Sequence, residues 1–462
     1  MKRMLRGMLA FTLLLEGSLA LAAGAPVFET RLDNGLKVLV MEDRRAPTAV
    51  QMVWYRVGSV DEVNGTTGVA HALEHMMFKG TPKVGAGEFS KRVAAAGGRD
   101  NAFTNRDYTA YFQQIPKERL RDMMALEADR MRHLTLAPAE FAKEIKVVME
   151  ERRLRTDDQP SALLSEGLNS VAFQASPYRV PVIGWMDDLE HMTATDLRAF
   201  YDRWYVPNNA TLVVVGDVDH QQVVRWAKET YGLLKARPLP VRKPQDEPVQ
   251  AGIRRLTVKA PAELPSVLLA WKAPKITGMD AKAMANDADS YALDVLAALL
   301  DGYDGARLNT RLVKESRIAQ DVGVGYDNVG RGPALFMVQA TPAPGKTPAE
   351  VEAALRAEIA RIANEGVKDE ELVRARAQML AAQVYKRDSM FAQAMEMGEL
   401  ETVGLGWRAT DLMIERLKAV TAADVARVAK AYFGDDTLTV GVLDPQPLKD
   451  RPAAPPPSGM LH

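Results

Sequence analysis

The chain has 462 residues, 47% of them hydrophobic, enough to bury more than one core. Its 59 basic and 60 acidic side chains nearly cancel, which argues against a nucleic-acid partner or an anionic membrane surface. With no cysteine, disulfides, thiol nucleophiles and thiolate metal sites are excluded, so any metal must be held by His and carboxylate.

The first residues read as an export signal. Lys2, Arg3 and Arg6 form a basic start, Met8 to Leu15 are mostly apolar, and Leu19-Ala20-Leu21-Ala22-Ala23 carries a small-x-small cleavage pattern. Residues 1–22 are therefore expected to be removed, leaving an exported, periplasmic protein; an uncleaved N-terminal anchor is the alternative. No other stretch approaches the length of a stable membrane span.

After the Asp33-Asn34-Gly35 turn signal, Leu36–Val40 and Ala49–Val57 read as strands. The stretch Gly68–Phe78 follows. Read as a helix, it puts His71, Glu74 and His75 at i, i+3 and i+4, all on one side. The other positions are almost all apolar, as in a buried helix. Two imidazoles and a carboxylate buried together need a partner. A divalent metal is the simplest one: the two His bind it, and Glu74 handles a proton from its water. A lone His on an apolar face is usually a satisfied core residue, but here two of only six His lie four apart around a Glu. The order His-x-x-Glu-His is that of the inverted zinc peptidases.

Further along, Glu88–Ala96 reads as a helix closed by Gly97-Gly98, and Asp100–Asn105 and Tyr108–Gln113 as paired strands. Helical patterns cover Lys117–His133, Pro138–Arg155, Ser161–Ala172, Ala194–Trp204 and His220–Leu233, with a strand at Ala210–Val215. The Pro-rich, charged stretch 236–250 reads as a linker. Beyond it the chain echoes itself. Thr193-Ala194-Thr195-Asp196-Leu197 and the strand Thr211–Gly216 recur as Thr421-Ala422-Ala423-Asp424-Val425 and Thr437–Val442; Met52–Tyr55 recurs as Leu268–Trp271. The common order predicts an α+β fold of two homologous domains, 26–235 and 251–446, each a mostly antiparallel sheet packed with helices. The second copy lacks the His-Glu-His cluster, and residues 447–462 read as a flexible tail.

Two His leave a catalytic zinc one protein ligand short. His133, His191, His220 and His462 all read as surface residues. The helix from Glu140 to Arg155 offers more. Phe141, Ile145 and Val148 form its buried stripe, and Glu144 and Glu151, two turns apart, flank it. Glu150 points towards Lys143, Lys146 and Arg153, as in a solvated ion-pair face, so Glu151 is the favoured ligand.

His71-x-x-Glu74-His75, with Glu151 76 residues further on and Glu144 one heptad before it, resembles the pitrilysin/insulysin family of zinc peptidases, which includes the mitochondrial processing peptidases. Phe78-Lys79-Gly80-Thr81, Gly97-Gly98-Arg99-Asp100-Asn101-Ala102-Phe103-Thr104 and Val147-Val148-x-Glu150-Glu151 extend the likeness, which covers the chain from Val27 to about Asp444. The resemblance implies that His71, His75 and Glu151 bind one zinc ion, that Glu74 is the general base and that Glu144 supports the site. It also implies that Asn101 and Ala102 lie on an edge strand that pairs with an extended peptide substrate, within half of a clamshell chamber.

One departure stands out. Active members carry an Arg and, seven residues later, a Tyr in the second domain that help hold the reacting carbonyl. Here Val313 and Gln320 align with them, while Arg311, Arg317 and Tyr326 are nearby at other spacings. Lost oxyanion help should lower activity. The resemblance therefore implies a heterodimer whose homologous partner supplies the Arg–Tyr pair. The rival is a homodimer in which Arg317 or Tyr326 takes over. A non-catalytic assembly subunit and a chaperone that binds peptides without cutting are the competing function classes.

Overall fold

The computed structural model describes residues 26–448. The expected export signal and nearly all of the expected tail lie outside them. Among the described residues the strands form two sheets. The first contains β1 (Val27–Arg31), β2 (Lys37–Glu42), β3 (Thr48–Tyr55), β4 (Arg99–Thr104), β5 (Thr109–Pro116) and β6 (Ala210–Gly216), in the order β1-β2-β6-β3-β5-β4. The second contains β7 (Arg254–Pro261), β8 (Ser266–Ala273), β9 (Ala319–Tyr326), β10 (Ala334–Pro342) and β11 (Leu438–Gln446), in the order β7-β11-β8-β10-β9. Without β1 the two orders coincide. Each sheet has one parallel pair in the same place, β2 with β6 and β7 with β11, and all other pairs are antiparallel. The α+β reading with two related, mostly antiparallel sheets therefore holds. The sequence reading missed β1, whose Phe-Glu-Thr-Arg run is too short and polar to stand out, and which is held as a strand by pairing with β2.

The central strands β2, β3 and β6 are apolar runs buried on both faces, so both faces must be covered. One face packs on the His-bearing helix Val69–Met76 and on helices Leu120–His133, Ala194–Trp204 and His220–Thr230. The other face, through Met52, Trp54 and Val213, packs on Ala394 and Met397 of helix Met390–Val403. In return, helix Pro160–Ala172 lays Leu164, Leu168 and Ala172 on Leu268, Ala270 and Leu443 of the second sheet. Each half of the chain thus lends one helix to the other half's sheet. Close approach depends on glycine: a Cβ at Gly398 would meet the Trp54 ring at 2.0 Å, and one at Gly441 would meet Leu164 at 2.9 Å.

A polar clasp joins the halves beside the site. Arg331 grips both carboxylate oxygens of Asp61 at 2.7 and 2.8 Å, and Arg242 adds a 2.6 Å bond to Asp61. The Tyr178 hydroxyl donates to Asp107 and accepts from the Gly332 N–H at 2.9 Å. Residues 235–250 contain neither helix nor strand, yet they are pinned. Arg242 lies over the Trp204 ring, and Glu247 accepts backbone N–H groups from Gln174, Ala175 and Ser176 and pairs with Lys272. Among the described residues no helix is long and apolar enough to cross a membrane.

Candidate active site

Helix Val69–Met76 buries Val69, Ala70, Ala72, Leu73 and Met76, which leaves His71, Glu74 and His75 on the one face that looks into a cleft. Its start is built with care. Gly68 adopts φ +85°, where a Cβ would run into the Ile183 carbonyl at 2.5 Å. The Glu62 carboxylate accepts the Gly68 and Ala70 N–H groups at 2.8 Å each, serving as the cap that the helix's own residues do not provide. Burial pushes the Glu62 carboxyl up to about 8 despite those bonds.

Helix Pro138–Arg152 crosses the His helix and presents Glu144 and Glu151. Its buried residues are Phe141, Glu144, Val148 and Arg152, so Glu144 lies on the apolar stripe itself. Arg152 anchors this end of the helix by a fork on Glu166 at 2.9 Å and a bond to the Gly184 carbonyl. Beyond it the chain continues in a π-turn, Arg153–Asp157, of the kind that often marks functional sites.

The two helices bring His71, His75 and Glu151 together, with one donor atom from each lying within 4.8 Å of the others. Glu151 Oε2 is 3.2 Å from His75 Nε2 and 3.8 Å from His71 Nε2. Donors 2.0–2.1 Å from one tetrahedral ion would sit about 3.3 Å apart, so this donor set fits zinc closely. His75 Nδ1 faces Glu144 Oε1 at 3.0 Å, which fixes the ring and leaves Nε2 for a metal. Lys79 holds the other Glu144 oxygen at 2.5 Å, and Arg155 holds Glu151 Oε1 at 2.6 Å. Glu150 points outward to Arg153.

The charges follow from this packing. Burial, with the neighbouring His75, pushes His71 down to about 4, which leaves a neutral ligand. Burial also opposes a charge on His75, but hydrogen bonds to Glu144 and Glu151 outweigh it and push that ring up to about 9. Burial would raise Glu151, yet the His75 bond and nearby cations hold it down at about 2. Burial lifts Glu74 above the usual carboxylate range, against a 2.5 Å hydrogen bond donated by the Thr104 hydroxyl.

Thr104 ends β4, an edge strand of the first sheet, which among the described residues pairs only with β5. Asn101 and Ala102 lie on this strand, Asn101 exposed, and the Asn101 side chain accepts the Ala102 N–H. The edge strand and Glu74 are thus tied together. A cleft of about 550 Å³ runs from His71 and Glu151 past Thr104 to helix Pro160–Ala172 and to residues 179–183.

The remaining expectations fall out as follows. His133 and His191 are exposed. His220, read as a surface residue, is partly buried, stacked on Phe28 and bonded to Glu42, because β1 covers it. Tyr326 donates to the Pro274 carbonyl, and Arg311 pairs with buried Glu358, so both are engaged within the second half. Val313 packs on the second core, and Gln320 is exposed.

Comparison with known proteins shows the family. The family model described as "Insulinase (Peptidase family M16)" matches residues 37–184, and the one described as "Peptidase M16 inactive domain" matches residues 191–379. The zinc protease PqqE of Helicobacter pylori is 32% identical over 431 residues, 90% of this chain and 92% of that protein. The chain belongs to peptidase family M16. A probable mitochondrial-processing peptidase subunit beta of Arabidopsis thaliana is 26% identical over 92% of this chain and 79% of its own length. The crystal structure of a protease from Helicobacter pylori superposes with a TM-score of 0.86 at 29% identity, covering 92% of this chain and all of that one.

The structure also brings to the site residues that the sequence reading left out. Lys79 is four residues after His75, a helical spacing that could have paired it with the site, but the helix stops at Met76. Arg155 is likewise i+4 from Glu151. Thr104 stands inside the Asn-Ala-x-Thr pattern, where it reads only as a strand residue. Glu62 gives no local signal, because its partners are backbone groups six and eight residues on.

Proposed function

We propose that this M16 member hydrolyses peptide bonds in extended or unfolded peptides, with one zinc ion held by His71, His75 and Glu151. The observation that carries the reading is the convergence of those three donor atoms beside a buried Glu74 that is tied to the edge strand. A zinc ion bound there would polarise the scissile carbonyl and acidify a water molecule. The chain's own residues do the rest. β4 offers Asn101 and Ala102 to a substrate strand, so recognition runs through main-chain hydrogen bonds and tolerates many side chains. Glu74, raised by burial, takes the proton of the attacking water and hands it to the leaving amine. Thr104 holds the carboxylate towards that edge strand. Glu144 keeps the His75 ring turned, and Lys79 keeps Glu144 in place.

In this reading the chain is the zinc-bearing subunit of a heterodimer, and a homologous partner supplies the missing Arg–Tyr pair. The name of the Arabidopsis relative, a subunit, is in line with this. The first 22 residues support export to the periplasm. A non-catalytic assembly subunit is the second reading. It is favoured by Val313 and Gln320 at the expected Arg and Tyr positions and by the engagement of Arg311 and Tyr326 elsewhere.

The test is metal analysis together with cleavage of an unstructured peptide, with and without the protein that co-purifies from the native host. Glu74→Gln should keep one zinc per chain and lose turnover by at least about a hundredfold. A metal-free protein, or undiminished turnover by that variant, would overturn the reading. Turnover without any partner would remove the heterodimer.

A further inference from the structure

The cleft beside the metal ligands has a surplus of cations. Arg106, Arg155 and Arg179 line it, facing the carboxylates Glu151 and Glu166. Both carboxylates are satisfied, Glu151 by Arg155 at 2.6 Å and Glu166 by the fork from Arg152. That leaves Arg106 and Arg179. Among the described residues, neither guanidinium makes a hydrogen bond or ion pair. Arg106 lies over the Tyr178 ring, 5.2 Å from its centroid, and is drawn deep enough for burial to lower its pKa.

The acids around them are spoken for. Asp107 accepts from the Tyr178 hydroxyl and the Arg331 N–H. Glu62, in the small depression that Arg179 also borders, is used by the Gly68 and Ala70 N–H groups. Asp327 acts on Arg106 only through space, and its carboxyl accepts the Val329 N–H. A guanidinium carries five donors in a planar fork suited to a carboxylate. Two of them left without partners in one cleft make a site for an anion. The Tyr178 ring supports the Arg106 guanidinium, and the Val60 N–H holds the Arg106 carbonyl at 2.9 Å, while Val180, Pro181 and Val182 form an apolar wall for the stem of an incoming side chain.

We infer that Arg106 and Arg179 form a carboxylate-binding subsite that selects peptides presenting an acidic group close to the bond cut. This rests on the peptidase reading and adds a specificity to it. The carboxylate has two sources, an Asp or Glu side chain or a free C terminus. The full chain carrying Glu74→Gln, loaded with zinc, separates them by fluorescence anisotropy on labelled extended peptides. One pair of peptides has Glu or Gln inside the sequence, and another has a free or an amidated C terminus.

The carboxylate form of at least one pair should bind about tenfold more tightly, the value of one good charge-assisted hydrogen bond. The preference should fall to about onefold in the Arg106→Gln/Arg179→Gln double variant, while the amide peptide binds as before. Arg179→Glu should reverse the order in favour of a Lys peptide, and this gain cannot arise from misfolding. Equal binding of both members in both pairs, or a preference that survives the double variant, overturns the subsite and leaves the peptidase reading standing. If no peptide is bound, and none is cut by the unsubstituted zinc-loaded protein even with the protein that co-purifies from the native host, the peptidase reading falls, and the subsite with it.

Discussion

The clasp between the two halves gives the most quantitative expectation. In Asp61→Asn the fold keeps its shape but loses the charge that answers Arg331. The side chains of Asp61 and Arg331 are 3% and 10% exposed, and the pair is bidentate at 2.7 and 2.8 Å. Removing one partner of such a pair leaves an uncompensated buried charge, which costs about 3–5 kcal/mol. That is a large share of a typical total stability of about 5–15 kcal/mol. With a urea slope of about 3 kcal/mol per molar, the midpoint should drop by about 1 M. The assay is urea unfolding followed by tryptophan fluorescence, since Trp54 and Trp204 report the first core and Trp271 the second. Adding Arg331→Met should recover much of the loss, because the orphaned charge goes too. The Asp61 carboxyl is held below its usual range: burial would raise it, but Arg331 and Arg242 outweigh that. Its contribution is therefore full above the ordinary carboxylate pKa of about 4 and is lost as pH falls below it, so the variant and the wild type should converge in acid. A midpoint shift under about 0.2 M at neutral pH, or no recovery in the double variant, refutes the reasoning.

Glu144→Gln should weaken zinc binding about 10–100-fold without removing a ligand, as measured by competition with a coloured chelator. Metal uptake should depend on pH in a set direction. His75 in the metal-free protein is raised to about 9 and so carries a proton at neutral pH, whereas His71, lowered to about 4, does not. Binding near pH 7 should therefore release about one proton, and apparent affinity should climb with pH and flatten above about 9; calorimetry in buffers of different ionisation enthalpy reads this. Gly398→Ala would stabilise an exposed helix by about 1 kcal/mol. Here the new Cβ meets the Trp54 ring at 2.0 Å, so thermal unfolding should show a loss of about 1–3 kcal/mol.

The parts of the site legible in the sequence were those set by one element's own geometry. His71, Glu74 and His75 share a face because helical residues three and four apart always do. Glu144 and Glu151 stood out because two turns of one helix return to the same face. The duplication was legible in the repeated caps at Thr193 and Thr421, each of which forms a reciprocal box with the Asp three residues on. The boundaries read for the first half fell within a few residues, with the largest trims at the 3-10 and π turns that flank helices Leu120–His133, Pro138–Arg152 and His220–Thr230, whereas in the second half β7, β9, β10 and the helices from Ala281 to Ala419 were not read at all.

An apolar stripe says that a face is buried, not which surface covers it. Only the tertiary structure decided that helix Pro160–Ala172 lies on the second sheet and helix Met390–Val403 on the first, since each partner is distant in the chain. The same holds for the Glu62 cap, the Asp61 clasp and the two unpartnered arginines of the cleft. Local periodicity fixed which side chains point the same way within one helix or strand. Which elements meet, and which charges are left without an answer where they meet, is settled by packing the whole chain.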